Sequence, residues 1–409
     1  MAADGNQESE SEVTTETAKR DSIGVAVIGG GMAGRAHAAG YRTAGTLFGL
    51  EHPDVRLVAI ADANPAVADD NVRRYGYERA EYDWRAIAEA DDIDAVSVVV
   101  ANHLHREMVE GLLAAGKHVL CEKPLAGSLA DAEAMLEAAC AADQVAAVGY
   151  TYRRAPAVEQ IRRELAAGSV GDLVHFNGHY WCDYALDPTS PITWRYQGGP
   201  GTGALADVGS HLIDLAEFVC GPIAEISGAR FHTVITERPI PIGTTYGHTK
   251  GAVSDQKAPV ENEDIATFTA TFAGGAAATF SASRVAHSLP DGLGFELFGT
   301  GGSASWELAR IAEFQLATDD VRADLNGPRR ITIGPDHPYI RGGLPMDAGG
   351  VGHGKAELFA YQARAFLDQI AGIDVLGPLP GFDTGLHSMR VVAAIAESAA
   401  GGGATVKVL

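Results

Sequence analysis

The tripeptide Glu122-Lys123-Pro124 has residue types that point to chemistry. It directly follows the apolar run His118–Cys121, which has the character of a buried strand. A charged group at the end of such a strand is costly unless the site uses its charge. The Lys123 ammonium can hydrogen-bond a substrate oxygen and stabilise developing alkoxide charge. A surface salt bridge between Lys123 and Glu122 is the alternative.

Asp207 and His211 form a second pair with chemical potential, four residues apart in a stretch of helical pattern. This spacing predicts that they share one helix face. A His of near-neutral pKa can take a hydroxyl proton, and a carboxylate from Asp207 or Asp214 can orient it. An isolated Asp/His pair is more often structural. Combined with Lys123 and with the glycine-rich dinucleotide motif at residues 29–34, the pair predicts a nicotinamide enzyme that acts on an alcohol or ketone.

A glycine-rich dinucleotide motif, Gly29-x-Gly31-x-x-Gly34, follows the apolar residues 25–28. In such a turn the first glycine permits the bend and the second lets a pyrophosphate approach the backbone. The third lets the helix pack closely on the strand. The motif alone is weak, but its place after the first strand of a βαβ unit favours nucleotide binding. The predicted cofactor contacts here are Gly29, Gly31, Met32, Ala33 and Gly34.

Asp62 ends the second predicted strand, 28 residues beyond Gly34. A carboxylate at this place accepts hydrogen bonds from ribose hydroxyls and repels a 2′-phosphate. Neither Ala63 nor Asn64 offers a charge that would accept that phosphate, so NAD is favoured over NADP. The alternative is that Asp62 only caps the helix that begins near Pro65.

Further cofactor contacts are predicted at Asn102 and His105, which follow the predicted strand at residues 95–100. This loop would contact the nicotinamide or begin the next helix. A zinc site at His103-x-His105 needs a third ligand, and the sequence offers no candidate. We therefore predict no metal.

Several residues of the second half are predicted to line the cleft. Arg195 would contact cofactor or substrate, whereas Trp194 would contact substrate or merely pack. Tyr152 opens the second domain together with Arg153 and Arg154, and a solvated basic face is equally compatible with that run. Glu122 and Lys123 complete the cofactor set, and the predicted substrate contacts are Lys123, Tyr152, Trp194, Asp207 and His211.

An α/β fold with two domains must position these residues. Residues 23–149 alternate nearly all-apolar runs with helical patterns, which predicts a doubly wound parallel sheet of the Rossmann type. Residues 150–409 predict an α+β domain with a large, mostly antiparallel open sheet and loops near 238–260 and 327–354. The predicted strands of the first domain are 25–28, 57–61, 95–100, 118–121 and 145–148. Those of the second are 173–181, 226–234, 265–272, 276–283 and 294–298.

Composition limits the class of protein further. The chain has 409 residues, 46% of them hydrophobic, and a formal net charge of −22. Such a surface disfavours nucleic acid and anionic membranes as partners. Residues 1–22 are polar and predict a disordered tail rather than a signal peptide. The four scattered Cys residues favour reduced thiols and a cytoplasmic location.

In their order along the chain, these motifs resemble those of the Gfo/Idh/MocA family. The resemblance runs from Val25 through about Ser283 and continues in pattern to the C-terminus. The Glu122-Lys123-Pro124, Tyr152-Arg153 and Asp207-x-x-x-His211 motifs are the specific ones, and Asn102-x-x-His105 supports them. The resemblance implies an N-terminal Rossmann domain and a C-terminal domain whose open sheet commonly mediates homodimers or homotetramers. It also implies that Lys123, Asp207 and His211 lie in the active site, with His211 as the acid/base.

Two details qualify the resemblance. Ala101 stands where the family often has Pro before the Asn, which puts the backbone of the cofactor loop in doubt but not the chemistry. The segments at Trp194, Glu237-Arg238-Pro239 and His337-Pro338-Tyr339 are similar to those of bacterial levoglucosan and inositol dehydrogenases in that family.

The resulting prediction is an NAD-dependent dehydrogenase that reversibly oxidises a secondary hydroxyl of a cyclic polyol or sugar. One alternative is a glycoside-cleaving enzyme that oxidises the sugar transiently and shows no net NADH formation. Another is a sugar or NAD sensor without catalysis, against which the presence of all three catalytic-type residues argues.

Overall fold

The computed structural model describes residues 22–49, 52–243, 251–319 and 324–408. The predicted disordered tail lies outside these residues, apart from Ser22, which begins the first strand. Within the described ranges, no helix combines the length and apolar character needed to cross a bilayer.

The N-terminal part of the chain forms a six-stranded parallel sheet of order β3-β2-β1-β4-β5-β6. Its central strands are almost entirely buried and apolar, as expected for a parallel sheet covered by helices on both faces. The elements are β1 Ser22–Ile28, α1 Met32–Ala44, β2 Asp54–Ala61, α2 Pro65–Tyr75, β3 Arg79–Glu81, α3 Trp84–Glu89, β4 Ala95–Val98, α4 His105–Ala114, β5 His118–Cys121, α5 Leu129–Ala141 and β6 Ala146–Val148.

The prediction of a doubly wound Rossmann sheet is confirmed. The five predicted strands are all present, although β4 ends at Val98 rather than at residue 100. Strand β3 was not predicted, because it has only three residues, two of them charged, and lies at the sheet edge.

The remainder of the chain is built on a nine-stranded sheet of order β16-β15-β14-β13-β7-β12-β11-β8-β17. Only the β7–β12 pair is parallel, so the predicted mostly antiparallel sheet is confirmed. The elements are α6 Pro156–Ala166, β7 Leu173–Trp181, α7 Ser210–Cys220, β8 Ile223–His232, β9 Glu237–Pro241, β10 Val253–Pro259, β11 Ile265–Phe272, β12 Ala277–Ser283, β13 Gly292–Gly299, β14 Gly302–Glu307, β15 Glu313–Thr318, β16 Arg329–Thr332, α8 Lys355–Ala371, α9 Phe382–Ala400 and β17 Val406–Lys407.

The loop prediction for 238–260 is wrong over most of its described part. Strands β9 and β10 form a separate two-stranded antiparallel ribbon, while residues 244–250 lie outside the described residues. Pro239 and Pro241 suggested a loop, but β9 is held by Arg238, whose buried guanidinium donates to the carbonyls of Ala185 and Asp187. The second predicted loop, 327–354, contains strand β16 and is otherwise irregular.

The two C-terminal helices pack against the Rossmann sheet as well as the second sheet. Helix α8 lies against α1, and α9 lies against α5 and β8. Phe366 of α8 and Leu386 of α9 are buried among Rossmann side chains. These contacts hold the parallel sheet and its helices against the second domain. The domain boundary near residue 149 stays a prediction.

Candidate active site

The predicted cofactor residues of the first domain lie at the carboxyl ends of the parallel strands. The glycine turn follows β1, Asp62 follows β2, Asn102 follows β4 and Lys123 follows β5. Strand order reverses between β1 and β4. Ligands of open α/β sheets bind outside the carboxyl ends of the strands at such a switch point. The sheet therefore brings the predicted cofactor contacts of the first domain to its binding edge.

The glycine turn has the geometry that a dinucleotide requires. Gly29 has φ +102°, and a Cβ on Gly34 would lie 1.7 Å from the carbonyl oxygen of Gly29. A Cβ on Gly31 would meet no protein atom within 4 Å, and Gly31 is the N-cap of α1 without a side-chain cap. Met32 and Ala33 begin this helix, and Met32 is exposed. The open, uncapped helix N-terminus fits a pyrophosphate.

Asp62 is tied to the glycine turn rather than to the helix that follows. Its Oδ2 accepts a hydrogen bond of 2.8 Å from the Gly30 N–H, and its Oδ1 accepts one from the Asn64 N–H. The N-cap of α2 is Asn64, whose side chain accepts from the Ala66 N–H. The capping alternative therefore does not describe Asp62, and its contact with a cofactor ribose stays a prediction.

Glu122 connects the lysine loop to helix α1. Its Oε1 lies 2.9 Å from the Nε2 of His37, and its Oε2 accepts from the Lys123 N–H. The His37 Nδ1 lies 3.0 Å from the hydroxyl of Ser97 in β4. Burial alone would raise the pKa of the Glu122 carboxyl, but the bond to His37 and the nearby positive charges lower it. An ionised Glu122 thus fixes the backbone that carries Lys123.

Lys123 reaches from the Rossmann sheet to the second domain. Its Nζ donates to the backbone carbonyl of Asp207 at 2.7 Å and lies 3.6 Å from the Asp207 Oδ1. The hydroxyl of Tyr184 donates to the Asp207 Oδ2 at 2.5 Å. The Lys123 side chain is only 12% exposed, so its charge is screened little by water. The alternative of a surface salt bridge with Glu122 does not describe it.

Asp207 lies in a π-helical turn, Leu205–Gly209, that leads directly into α7 and His211. The sequence predicted a regular helix with both side chains on one face. In the wider turn the Ser210 N–H bonds to the carbonyl of Leu205, five residues back. Such turns often occur at functional sites because they displace the side chains from α-helical positions.

His211 packs against two aromatic rings and is subject to the positive charges of two lysines. The Tyr152 ring packs edge-on against it with centroids 4.8 Å apart, and Tyr180 lies at 6.2 Å. Burial, followed by the charges of Lys123 and Lys355, holds the pKa of His211 well below its usual value. The imidazole is therefore neutral and able to accept a proton at physiological pH.

Asp214, the alternative partner of His211, belongs to a different contact. Both of its oxygens accept from the guanidinium of Arg153 at 2.6–3.0 Å. Burial raises the pKa of the Asp214 carboxyl to about 6, and the charge and hydrogen bonds of Arg153 oppose that rise. Arg154 is buried and donates to the carbonyls of Leu376, Gly377 and Pro378. Neither arginine forms the solvated basic face that was one prediction.

A buried carboxylate holds the helical segment that carries Asp207 and His211. The Glu263 side chain accepts hydrogen bonds from the backbone N–H groups of Gly201, Gly203 and Leu205 at 2.8–3.1 Å. Glu263 is 2% exposed, and burial raises its pKa while these N–H donors oppose the rise. A negative charge at the start of a helix also interacts favourably with the helix dipole. Glu263 therefore fixes the position of the segment.

Arg195 and Trp194 lie in a loop attached to the same framework. The Arg195 carbonyl accepts from Asn262 and Arg284, each at 3.0 Å, and its guanidinium stacks 4.4 Å from the Trp194 ring. Arg284 in turn forms a buried ion pair with Asp264. Trp194 is 49% exposed and therefore is not a core residue, and its contact with substrate stays a prediction. The described contacts of Arg195 fix its loop, and its role toward a ligand stays a prediction.

Asn102 and His105 lie at the carboxyl end of β4 with different surroundings. Asn102 is half-buried and begins a 3₁₀ turn, Asn102–Leu104, whose other two residues are exposed. His105 is buried, with Nδ1 3.1 Å from the Leu125 carbonyl and Nε2 3.2 Å from that of Val100. Burial lowers its pKa, and a neutral ring donates from one nitrogen only. His105 thus positions the loop after Lys123. Among the described residues no group of three His, Cys, Asp or Glu side chains could hold a metal.

The sequence did not predict five residues that shape this site. Each contacts it from another part of the chain, so local spacing gave no signal. The polar run at residues 261–264, directly before β11, is the one sequence feature that could have pointed to Glu263. The five residues are His37, Tyr184, Glu263, Asp291 and Lys355.

The parallel sheet carries a dinucleotide-binding glycine turn, and Lys123, Asp207 and a neutral His211 lie together at its carboxyl end. This combination is typical of a nicotinamide-dependent oxidoreductase. The family pattern described as "Oxidoreductase family, NAD-binding Rossmann fold" matches residues 23–150, and the pattern of the GFO/IDH/MocA C-terminal domain matches residues 158–305. The chain belongs to the Gfo/Idh/MocA family of oxidoreductases, as the sequence motifs predicted.

Relatives and solved structures agree with this assignment. A levoglucosan dehydrogenase of Pseudarthrobacter phenanthrenivorans is 37% identical over 92% of this chain and 96% of its own length. A levoglucosan dehydrogenase structure in complex with NADH and levoglucosan superposes with a TM-score of 0.85 at 35% identity, covering 95% of this chain and 99% of that one. An oxidoreductase domain protein from Kribbella flavida gives a TM-score of 0.84 at 33% identity, covering 95% and 99%.

Proposed function

We propose that this chain oxidises a secondary hydroxyl of a cyclic sugar with NAD, and that an anhydrosugar such as levoglucosan is the first substrate to test. The observation that carries the proposal is the convergence of Lys123, Asp207 and neutral His211 at the carboxyl end of the sheet that also carries the glycine turn. The similarity to levoglucosan dehydrogenase over nearly the whole chain supports the anhydrosugar class.

In the proposed mechanism each residue has a separate task. A ring nitrogen of His211 takes the hydroxyl proton, and the lowered pKa of this residue keeps the ring unprotonated before that transfer. The Lys123 ammonium hydrogen-bonds the same oxygen and stabilises its developing negative charge in a poorly hydrated place. Asp207, held by Tyr184, keeps the ammonium aimed at that oxygen. Bound NAD supplies the hydride acceptor.

The remaining predicted contacts are assigned by their places. Gly31 and the start of α1 receive the pyrophosphate, and Asp62 receives the ribose hydroxyls. Tyr152 and Trp194 would contact the sugar, and Arg195 and Asn102 the cofactor or the sugar close to it. Glu122 and His105 act through the loops that they hold.

A screen of NADH formation tests the proposal. Levoglucosan, inositols, aldoses and glycosides are each offered with NAD and with NADP, using wild-type enzyme and the Asp62→Asn variant. We expect turnover on at least one ring polyol with NAD, and a smaller NAD preference in Asp62→Asn. Glycoside cleavage without net NADH formation would replace the proposal by the transient-oxidation alternative. NAD binding without turnover on any sugar would favour a sensor.

We propose a homodimer or homotetramer formed through the outer face of the nine-stranded sheet, which carries His175, His179, Trp181 and Phe298 as stacked or exposed aromatic rings. Light scattering on the purified protein tests this, and a monomer would contradict it.

The four thiols are free, which supports a cytoplasmic location.

A further inference from the structure

A second charged pair, Asp291 and Lys355, lies close to His211. Lys355 is the first residue of α8, and Asp291 directly precedes β13. The Lys355 Nζ lies 2.5 Å from the Asp291 Oδ2, and the two side chains are 43% and 35% exposed. Neither residue belongs to the motifs that define the family resemblance.

Two buried tyrosines connect this pair to His211. The Tyr180 hydroxyl donates to the Asp291 Oδ1 at 2.9 Å, and the hydroxyls of Tyr152 and Tyr180 lie 2.8 Å apart. Tyr152 packs against His211, and the Lys355 Nζ lies 5.2 Å from the centroid of the Tyr152 ring. The pair is therefore held next to the proposed base by side chains that are almost fully buried.

A surface ion pair with only a structural role would not need this arrangement. Exposed pairs contribute little stability, because water screens them and both side chains lose freedom. Here the buried Tyr180 hydroxyl, itself hydrogen-bonded to that of Tyr152, orients the carboxylate. Lys355 is near enough for its charge to act on His211. The partial exposure leaves polar atoms available to a ligand that occupies the site.

The unused hydrogen-bonding capacity indicates the kind of ligand. A carboxylate has about four acceptor positions, and the bonds from Tyr180 and Lys355 occupy two of those of Asp291. An ammonium has three donors. A carboxylate beside an ammonium, with aromatic rings adjacent, matches neighbouring hydroxyls on an uncharged ring, which both donate and accept.

We propose that Asp291 and Lys355 form a recognition subsite for ring hydroxyls of the sugar that lie away from the reacting carbon. Asp291 accepts hydrogen bonds from a vicinal pair of hydroxyls, and Lys355 donates to an oxygen of the same pair. The inference rests on the proposed function, because it names the specificity element of that same site. Lys123 and His211 contact the reacting hydroxyl, whereas Asp291 and Lys355 determine which sugar rings bind.

Substrate analogues combined with Asp291→Asn and Lys355→Gln test the subsite. The best sugar of the screen and its monodeoxy analogues are compared by kcat and KM. We expect each variant to raise KM for the parent sugar about tenfold or more, as for loss of a hydrogen bond to a charged group. For the analogue that lacks the contacted hydroxyl, the variants should differ little from wild type. The control variants Asp70→Asn and Arg74→Gln remove an exposed pair on α2 and should change neither constant.

Two outcomes would overturn the subsite. One is an unchanged KM in both variants. The other is an equal loss on the parent and on every deoxy analogue, which would make the pair a structural support of Tyr152 and Tyr180. Failure of the proposed function looks different, since wild-type enzyme would then reduce no NAD with any sugar. In that case levoglucosan binding is titrated against the NADH complex, and equal or absent binding in wild type and Asp291→Asn also overturns the subsite.

Discussion

The Lys123 ammonium lies 2.7 Å from the backbone carbonyl oxygen of Asp207, a hydrogen bond that joins the end of a Rossmann strand to the helical segment of the second domain. The same segment continues into α7 and His211. The proposed polarising charge and the proposed base are thus held in one geometry by a contact between domains. A shift of either domain would change the distance between the two groups on which the proposed reaction depends.

Lys123→Met keeps the length of the side chain but removes its charge. We expect kcat to fall by about 10²–10³-fold, the usual cost of losing one group that stabilises an oxyanion. The affinity for NAD should stay within about threefold, because the described contacts of the ammonium are with Asp207. Steady-state kinetics and titration of NAD by fluorescence check both expectations. Unchanged turnover would remove Lys123 from the mechanism.

Substitution of Glu263 tests whether its carboxylate positions the segment that carries Asp207 and His211. In Glu263→Gln an amide N–H₂ replaces one oxygen, so a donor faces the N–H donors of the Gly201–Leu205 segment. We expect kcat to fall about tenfold and the free energy of unfolding to fall by about 1–3 kcal/mol. Glu261→Gln is the matched control, because Glu261 accepts one backbone N–H in an exposed loop. Equal kcat in both variants would contradict the positioning role.

Much of the first domain could be predicted from sequence for physical reasons. Parallel strands covered on both faces must be apolar throughout, so β1, β4 and β5 were visible, and the chain leaving β5 had to bring Lys123 to the binding edge. The ribbon of β9 and β10 was not visible, because two prolines of β9 hide a strand that depends on the buried Arg238.

The candidate site was predictable only where its residues lie in local motifs. Asp207 and His211 stood out by their spacing, but the π-helical turn between them has no sequence signature, since only its hydrogen bonding distinguishes it from an α-helix. Lys355 is more than 140 residues from His211 in sequence, and the fold alone brings them near each other. Its effect on the proposed base could not be predicted.

The electrostatic surroundings of His211 make its pH dependence testable. A neutral base loses activity when it is protonated, so the acid limb of the kcat/KM profile in the wild type should lie below the usual His pKa of about 6.5. Removing a nearby positive charge makes protonation easier, so Lys355→Met should raise the pKa of His211 and move the acid limb to higher pH. Lys257→Met, which breaks an exposed ion pair with Glu237, is the control. An acid limb that stays in place would show that Lys355 does not act on the base.

Alanine substitutions at Gly31 and Gly34 of the dinucleotide turn should have different effects, the first on NAD binding and the second on stability. A Cβ on Gly31 meets no protein atom and its φ of −67° suits alanine, so Gly31→Ala should leave the urea midpoint nearly unchanged. The added methyl occupies the space where a pyrophosphate approaches, so the NAD dissociation constant should rise about tenfold or more. A Cβ on Gly34 would lie 1.7 Å from a backbone oxygen, and Gly34→Ala should cost about 1–3 kcal/mol of stability or more. Unfolding curves and NAD titration of both variants check this contrast. Tight NAD binding by Gly31→Ala would contradict the proposed place of the pyrophosphate, because only a cofactor lying elsewhere could accommodate that methyl.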